Sequence, residues 1–145
     1  MIWRLTVECL WGWYLEDECI RTIEIHSTAT LYDLHEAIQA AVDFDHDHPF
    51  EFYAGRNYKN RKLRLDDVAP RRGSMSAYSG TTLDEVYPLP KGLRLFYHFD
   101  FGDNWCFGIS KSRKKATEAE AGVVYPRVVE SIGPNPFQYG PPRDE

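Results

Sequence analysis

Cysteine is scarce in this chain and long apolar runs are absent, and both shortages narrow what it can be. The only cysteines are Cys9, Cys19 and Cys106. Their number is odd and no pair has the C-x-x-C spacing, which argues against a disulfide framework or a thiolate metal knuckle. They read as small core residues of a protein kept in a reducing, cytoplasmic compartment. A Cys9 to Cys19 bridge across the first hairpin is the less favoured alternative. No stretch approaches the eighteen or so consecutive apolar residues of a membrane-spanning helix, so no membrane partner is expected. The opening MIWRLTVECLW alternates apolar residues with Arg4, Thr6 and Glu8 and is not expected to act as a signal peptide.

Reaction-specific motifs are missing too. There is no nucleophile elbow, P-loop, dinucleotide fingerprint or zinc-helix motif, so no cofactor is implied and catalysis is the less favoured expectation. Ser74, Ser76 and Ser79 have no histidine placed by sequence to activate them. The tripeptide at Asp100, Phe101 and Gly102 occurs in protein kinases, but the Gly-rich loop, strand lysine and catalytic loop that accompany it there are absent.

What is present is ordinary in amount and uneven in placement. The 145 residues fit one domain spanning 1–145, and a chain of this size buries roughly 70% of its unfolded surface. Hydrophobic residues make up 43%, and the 14% aromatic share points to a core rich in Phe, Tyr and Trp. Net charge is -5, yet residues 56–72 hold seven Lys/Arg against two Asp, a net +5, and residues 111–115 add +4. The remainder therefore carries -14, so charge of opposite sign is segregated along the chain.

Trp3, Leu5, Val7 and Cys9 alternate with Arg4, Thr6 and Glu8 in a half-buried first strand, and a second runs from Cys19 to His26. Thr30 is placed as an N-cap with Asp33 three residues on, and Leu31, Leu34, Ile38, Ala41 and Val42 share one helical face that should end near Asp43. A third strand carries Phe50, Phe52 and Ala54. A long basic loop is expected over about 56–81, with a short edge strand from Lys62 to Leu65. Thr82 and Glu85 start a short helical turn that Pro88 stops. Two strands, Arg94 to Phe99 and Trp105 to Ile109, flank the Asp100 to Asn104 turn, and the Pro-rich tail over about 133–145 is draped or loose. This order predicts an α+β fold: a β-grasp-like roll whose antiparallel or mixed sheet of about five strands carries one main helix and a short second one. A ferredoxin-like arrangement is the runner-up.

Two motifs carry a resemblance. Thr30, Leu31, Asp33, Leu34, His35, Ile38 and Gln39 match T-L-x-D-L-H-x-x-I-Q, followed by a matching His48. Asp100, Phe101, Gly102, Asp103 and Trp105 match Y-D-F-G-D-x-W-x-H. Over roughly residues 2–140 the chain resembles the plasmid Ri Orf-three-like family, small proteins without an assigned biochemical function, some of them described as transposon resolvases. Phe99 stands where that family often has Tyr, Phe107 where it usually has His, and its C-terminal Cys-Pro-Pro-Glu-Asp-Cys segment is absent. The resemblance implies one α+β domain and no particular chemistry.

Several residues could bear function. His35 falls on the apolar face of the helix, with Gln39 one turn on: it is either a buried, hydrogen-bonded histidine or a proton-carrying or ligand histidine at a cleft. His46 and His48, among Asp43, Asp45 and Asp47, are weak metal candidates without an established loop spacing, and a solvated turn is the plainer reading. Asp100 and Asp103 could act as an acid and base pair. The plainer reading has Asx-type turn bonds, a positive φ at Gly102 and a packed Trp105. Arg56, Lys59, Arg61, Lys62, Arg64, Arg71 and Arg72, together with Lys111, Arg113, Lys114 and Lys115, form the candidate binding surface, provided the loop and the strand end lie on one side. Their pairing with internal acids is the bland alternative.

The favoured expectation is a non-catalytic binding or adaptor module, with protein or nucleic acid as partner. The alternative is a metal-dependent or acid/base enzyme using His35, His48, Asp100 and Asp103. A structural role in a larger assembly would show as exposed aromatics around Trp11, Trp13 and Tyr14.

Overall fold

The computed structural model describes residues 1–46, 48–65 and 77–141. The chain runs β1 (Ile2–Trp11), β2 (Ile20–His26), α1 (Leu31–Val42), β3 (Phe50–Gly55), β4 (Leu63–Arg64), a 3-10 turn (Ala77–Gly80), α2 (Leu83–Val86), β5 (Arg94–Phe99), β6 (Trp105–Lys111) and β7 (Arg127–Ile132). All seven strands join one sheet in the order β4-β3-β5-β6-β1-β2-β7. Every neighbouring pair is antiparallel.

This corrects the expected β-grasp-like roll, and the ferredoxin-like alternative with it. The protein is mostly sheet, seven antiparallel strands with two short helices of twelve and four residues, not about five strands around one main helix. Two physical reasons account for the difference. Period-two alternation identifies a strand but not its neighbour or direction. And β7 shows no alternation at all: its six residues, RVVESI, are all exposed, so main-chain pairing to β2 recruits it rather than burial.

One face of the sheet is closed by α1. Thr30 caps the helix reciprocally: its hydroxyl accepts from the Asp33 N–H at 3.0 Å, and the Thr30 N–H donates to the Asp33 carboxylate at 2.9 Å. Leu31, Leu34, Ile38 and Val42 are buried, and each such side chain contributes about 1.5–3 kcal/mol of transfer free energy. They meet a helix-facing layer set by register: Phe52 opposite Tyr97, Tyr97 opposite Phe107, Phe99 opposite Trp105, and Leu95 opposite Ile109. Cys9, Cys19 and Cys106 are all free and buried. Burial pushes their thiols up, which keeps them protonated and inert.

The C-terminal end of α1 has no basic residue in its last turn, and Arg21 of β2 supplies the missing charge. Its Nε donates to the Ala41 carbonyl at 3.2 Å, while the rest of the guanidinium donates to the carbonyls of Ile20 and Ile132 and to Asn135 Oδ1. The tail is therefore docked. Gln138 accepts from the Asp45 N–H at 2.6 Å, and Tyr139 donates to the Asp45 carboxylate at 2.9 Å.

Trp105, fully buried, lies flat against Gly12 with no room for a side chain between them. Gly12→Ala is expected to lower stability by about 1–3 kcal/mol through overpacking. Gly102→Ala, whose new methyl would meet only an Asp100 oxygen at 3.4 Å, should change it by less than about 0.5 kcal/mol. Urea unfolding of the two variants beside the parent checks both.

Candidate functional site

The turn between β5 and β6 organises the polar residues around it. Asp100 and Asn104 adopt left-handed φ angles of 61° and 54°. Asp100 Oδ1 accepts from the N–H groups of Gly102 at 3.1 Å and Asp103 at 3.3 Å, and its own N–H donates to the Pro49 carbonyl at 2.9 Å. The expected Asx-type bonds are present. The expected positive φ at Gly102 is not: Asp100 and Asn104 carry the left-handed conformation, which short polar side chains tolerate. Asp103 holds Trp13 through its carbonyl at 3.0 Å, and its carboxylate makes no described hydrogen bond.

Asn104 leads to a cluster on the sheet face away from α1. His98 Nε2 lies 2.9 Å from Asn104 Oδ1, and His98 Nδ1 lies 2.8 Å from Glu51 Oε2. Arg61, folded back over this face by the loop between β3 and β4, donates to both Glu51 oxygens at 3.2 and 3.1 Å and rests on the Tyr53 ring at 4.5 Å. The His98 hydrogen bond, with help from Arg61, holds the Glu51 carboxyl down at about 2. The cluster borders a cavity of about 430 Å³ with Trp11, Tyr58 and Lys59 at its mouth and Tyr53 and Cys106 at its floor. His98 and Glu51 escape sequence reasoning because 47 residues separate them and neither sits in a recognisable motif. The one available signal is the polar phase of the β5 alternation.

On the opposite face His35 is buried and hydrogen-bonded, and its partner is a tyrosine. Nδ1 lies 2.5 Å from the Tyr97 hydroxyl, which also accepts from Gln39 Nε2 at 2.9 Å, and the ring stacks on Phe50 at 3.8 Å. Burial pushes its pKa down to about 4, so the imidazole is neutral at pH 7. The other candidates divide. His46 pairs with Glu36 at 2.8 Å beside His35. His48 turns the other way, 3.2 Å from the Tyr139 hydroxyl and 3.8 Å from Asp100. Among the described residues no hydrogen bond or ion pair joins His35 to Asp100 or Asp103, and Asp47 lies outside them.

The basic candidates are exposed or half-exposed, and Arg71 and Arg72 lie outside the described residues. Register brings Arg56 and Lys111 to one end of the sheet, whereas Lys59 and Arg61 fold over its open face towards Trp11 and Asn104. Gly55, before Arg56, pairs with Arg94, and Ile109, two residues before Lys111, pairs with Leu95. The chain thus leaves β3 and β6 at the same end, two strand spacings or about 10 Å apart. Arg61 has Glu51. Among the described residues no carboxylate lies within 4.0 Å of Arg56, Lys59, Lys62, Arg64, Lys111, Arg113, Lys114 or Lys115. Lys111 lies over the Trp3 ring at 4.6 Å, and with Lys114 and Lys115 it lines a groove of about 260 Å³.

The family model described as plasmid pRiA4b ORF-3-like protein matches residues 13–138. The chain belongs to this family. Its shared motif residues fall in the places just described: His35 and Gln39 on the Tyr97 hydroxyl, Asp100 and Gly102 in the turn, Asp103 behind Trp13 and Trp105 in the core. Among solved structures the pRiA4b ORF-3-like chain is similar to a protein of unknown function from Methanosarcina mazei Go1. The two share 26% identity with a TM-score of 0.65, over 90% of this chain and 68% of that one. Neither description carries the resolvase label. No curated protein matches.

Glu51 links the open-face cluster to acid stability. Its folded pKa of about 2 lies below the ordinary 4.5, so its contribution is complete above 4.5 and is lost as pH falls towards 2. Glu51→Gln is expected to be less stable than the parent at pH 7 and to lose less on acidification between those limits. Urea midpoints across that window check the sign.

Proposed function

We propose that the protein is a non-catalytic binding module that contacts nucleic acid through the basic end of its sheet. One observation carries the reading: cations from two distant segments leave the sheet at one end, and of those described only Arg61 has a carboxylate partner. Unpaired Lys and Arg retain their counterions until a phosphate backbone displaces them, and that release makes binding favourable and salt-dependent. Towards the other end of the sheet, the cavity beside Trp11 and Tyr58, with Lys59 and Arg61 at hand, offers aromatic faces on which an unpaired base could stack. An overall charge of -5 repels nucleic acid from the rest of the surface and so orients the encounter.

The enzyme alternative needs His35, His48, Asp100 and Asp103 together, and the described contacts favour it less because they place His48 with Asp100 and His35 elsewhere. Exposure of Trp13 at 67% and Phe101 at 48% supports a protein partner as second reading.

A mobility-shift assay with single-stranded and duplex oligonucleotides tests the proposal. A shift is expected at about 50 mM salt that fades at about 200 mM. Replacing Lys111, Lys114 and Lys115 together by Ala should weaken binding uniformly across sequences and flatten the log-log salt slope by about 2–3. No shift at the lower salt would overturn it.

A further inference from the structure

We propose that His35, Glu36 and His46 form a site for a borderline divalent cation of the zinc class, with an open coordination position facing the groove beside Tyr125. One donor atom from each of the three lies within 4.8 Å of the other two. Successive helix residues ordinarily point about 100° apart. Here the turn after α1 returns His46 alongside them, its ring perpendicular to that of His35 with centroids 6.0 Å apart. His46 Nδ1 already sits 2.8 Å from the Glu36 carboxylate. Zinc takes imidazole and carboxylate donors at about 2.0–2.2 Å, so small rotations of the two more exposed side chains close the set. Two imidazoles, one carboxylate and a free position make up a three-ligand zinc site that exchanges its fourth ligand.

The surroundings suit the ion. With Nδ1 of His35 at the Tyr97 hydroxyl, Nε2 is the free ring nitrogen. Outer-shell partners of this kind fix the orientation of a ligating imidazole. Gln39 gives this one a second state. Its Oε1 has no partner while its Nε2 donates to Tyr97. Half a turn of the amide would let Oε1 accept the Tyr97 proton, so that His35 Nδ1–H donates to the hydroxyl oxygen and Nε2 presents a lone pair. Either orientation leaves one amide atom unpartnered, so the exchange is nearly balanced. His35 is already neutral at pH 7, and Glu36 offsets part of the ion's charge. Access is through a groove of about 690 Å³ that Glu36 and His46 line together with His26 and Tyr125. His48, committed to Tyr139 and Asp100, is not part of the site.

The test is titration of the full chain, free of any affinity tag, with Zn²⁺ by calorimetry and with Co²⁺ by visible absorption. One equivalent is expected to bind, with a tetrahedral or five-coordinate cobalt band and a raised Tm. His46→Ala and Glu36→Gln should each weaken binding at least about tenfold and leave the metal-free Tm near that of the parent. His26→Ala and His48→Ala should bind as the parent does. Absence of saturable one-to-one binding, its persistence in both His46→Ala and Glu36→Gln, or its loss in His48→Ala overturns the site.

Discussion

The structure depends on one dry contact, the aromatic side of β3, β5 and β6 pressed against α1. Phe52, Tyr97, Phe99, Trp105 and Phe107 are all buried there, and their cross-strand pairing allows a single register. A slip of any one of these strands by one residue would turn its share of the five outward. The same register fixes where Asp100 to Asn104 must turn, and so where Asn104 meets His98. It also sets which end of the sheet releases Arg56 and Lys111.

Alternation along β5 puts two polar clusters back to back. Tyr97 faces α1 and closes on His35 and Gln39, while its neighbour His98 faces the other way and closes on Glu51 and Asn104. The first cluster is buried against Phe50 and Phe99, with only His35 reaching its edge at His46. The second borders an open cavity, where Arg61 crosses from an adjoining loop to complete it. Burial accordingly acts in opposite proportions: desolvation dominates at His35, whereas hydrogen bonds and a nearby cation dominate at Glu51.

Local signals were legible in the residues, and long-range ones were not. Thr30 with Asp33 announced the helix start, Leu31 to Val42 its buried stripe, and the Asp100 to Asn104 segment its turn, because each is settled within a few neighbours. Strand order, the antiparallel direction throughout and the existence of β7 were hidden, since they depend on partners up to about a hundred residues away and β7 buries nothing that would mark it. Sites divide the same way. His35 could be picked out from helical spacing, but the His98 and Glu51 pair exists only once β3 and β5 lie side by side. The left-handed angles at Asp100 and Asn104, rather than Gly102, show that a glycine in a turn need not be the residue that bends it.

Arg21 fastens four separate stretches: its own strand, the last turn of α1, β7 and the tail at Asn135. All its acceptors are neutral amide oxygens. Among the described residues no carboxylate lies within 4.0 Å of it, so protonating acids does not loosen this joint. The molecule thus has fastenings that acid dissolves, at Glu51 and at Glu24 between Arg4 and Arg127, and another that acid leaves untouched. Acidification towards pH 2 should therefore release the loop carrying Arg61 while Arg21 still ties β7 to the helix end.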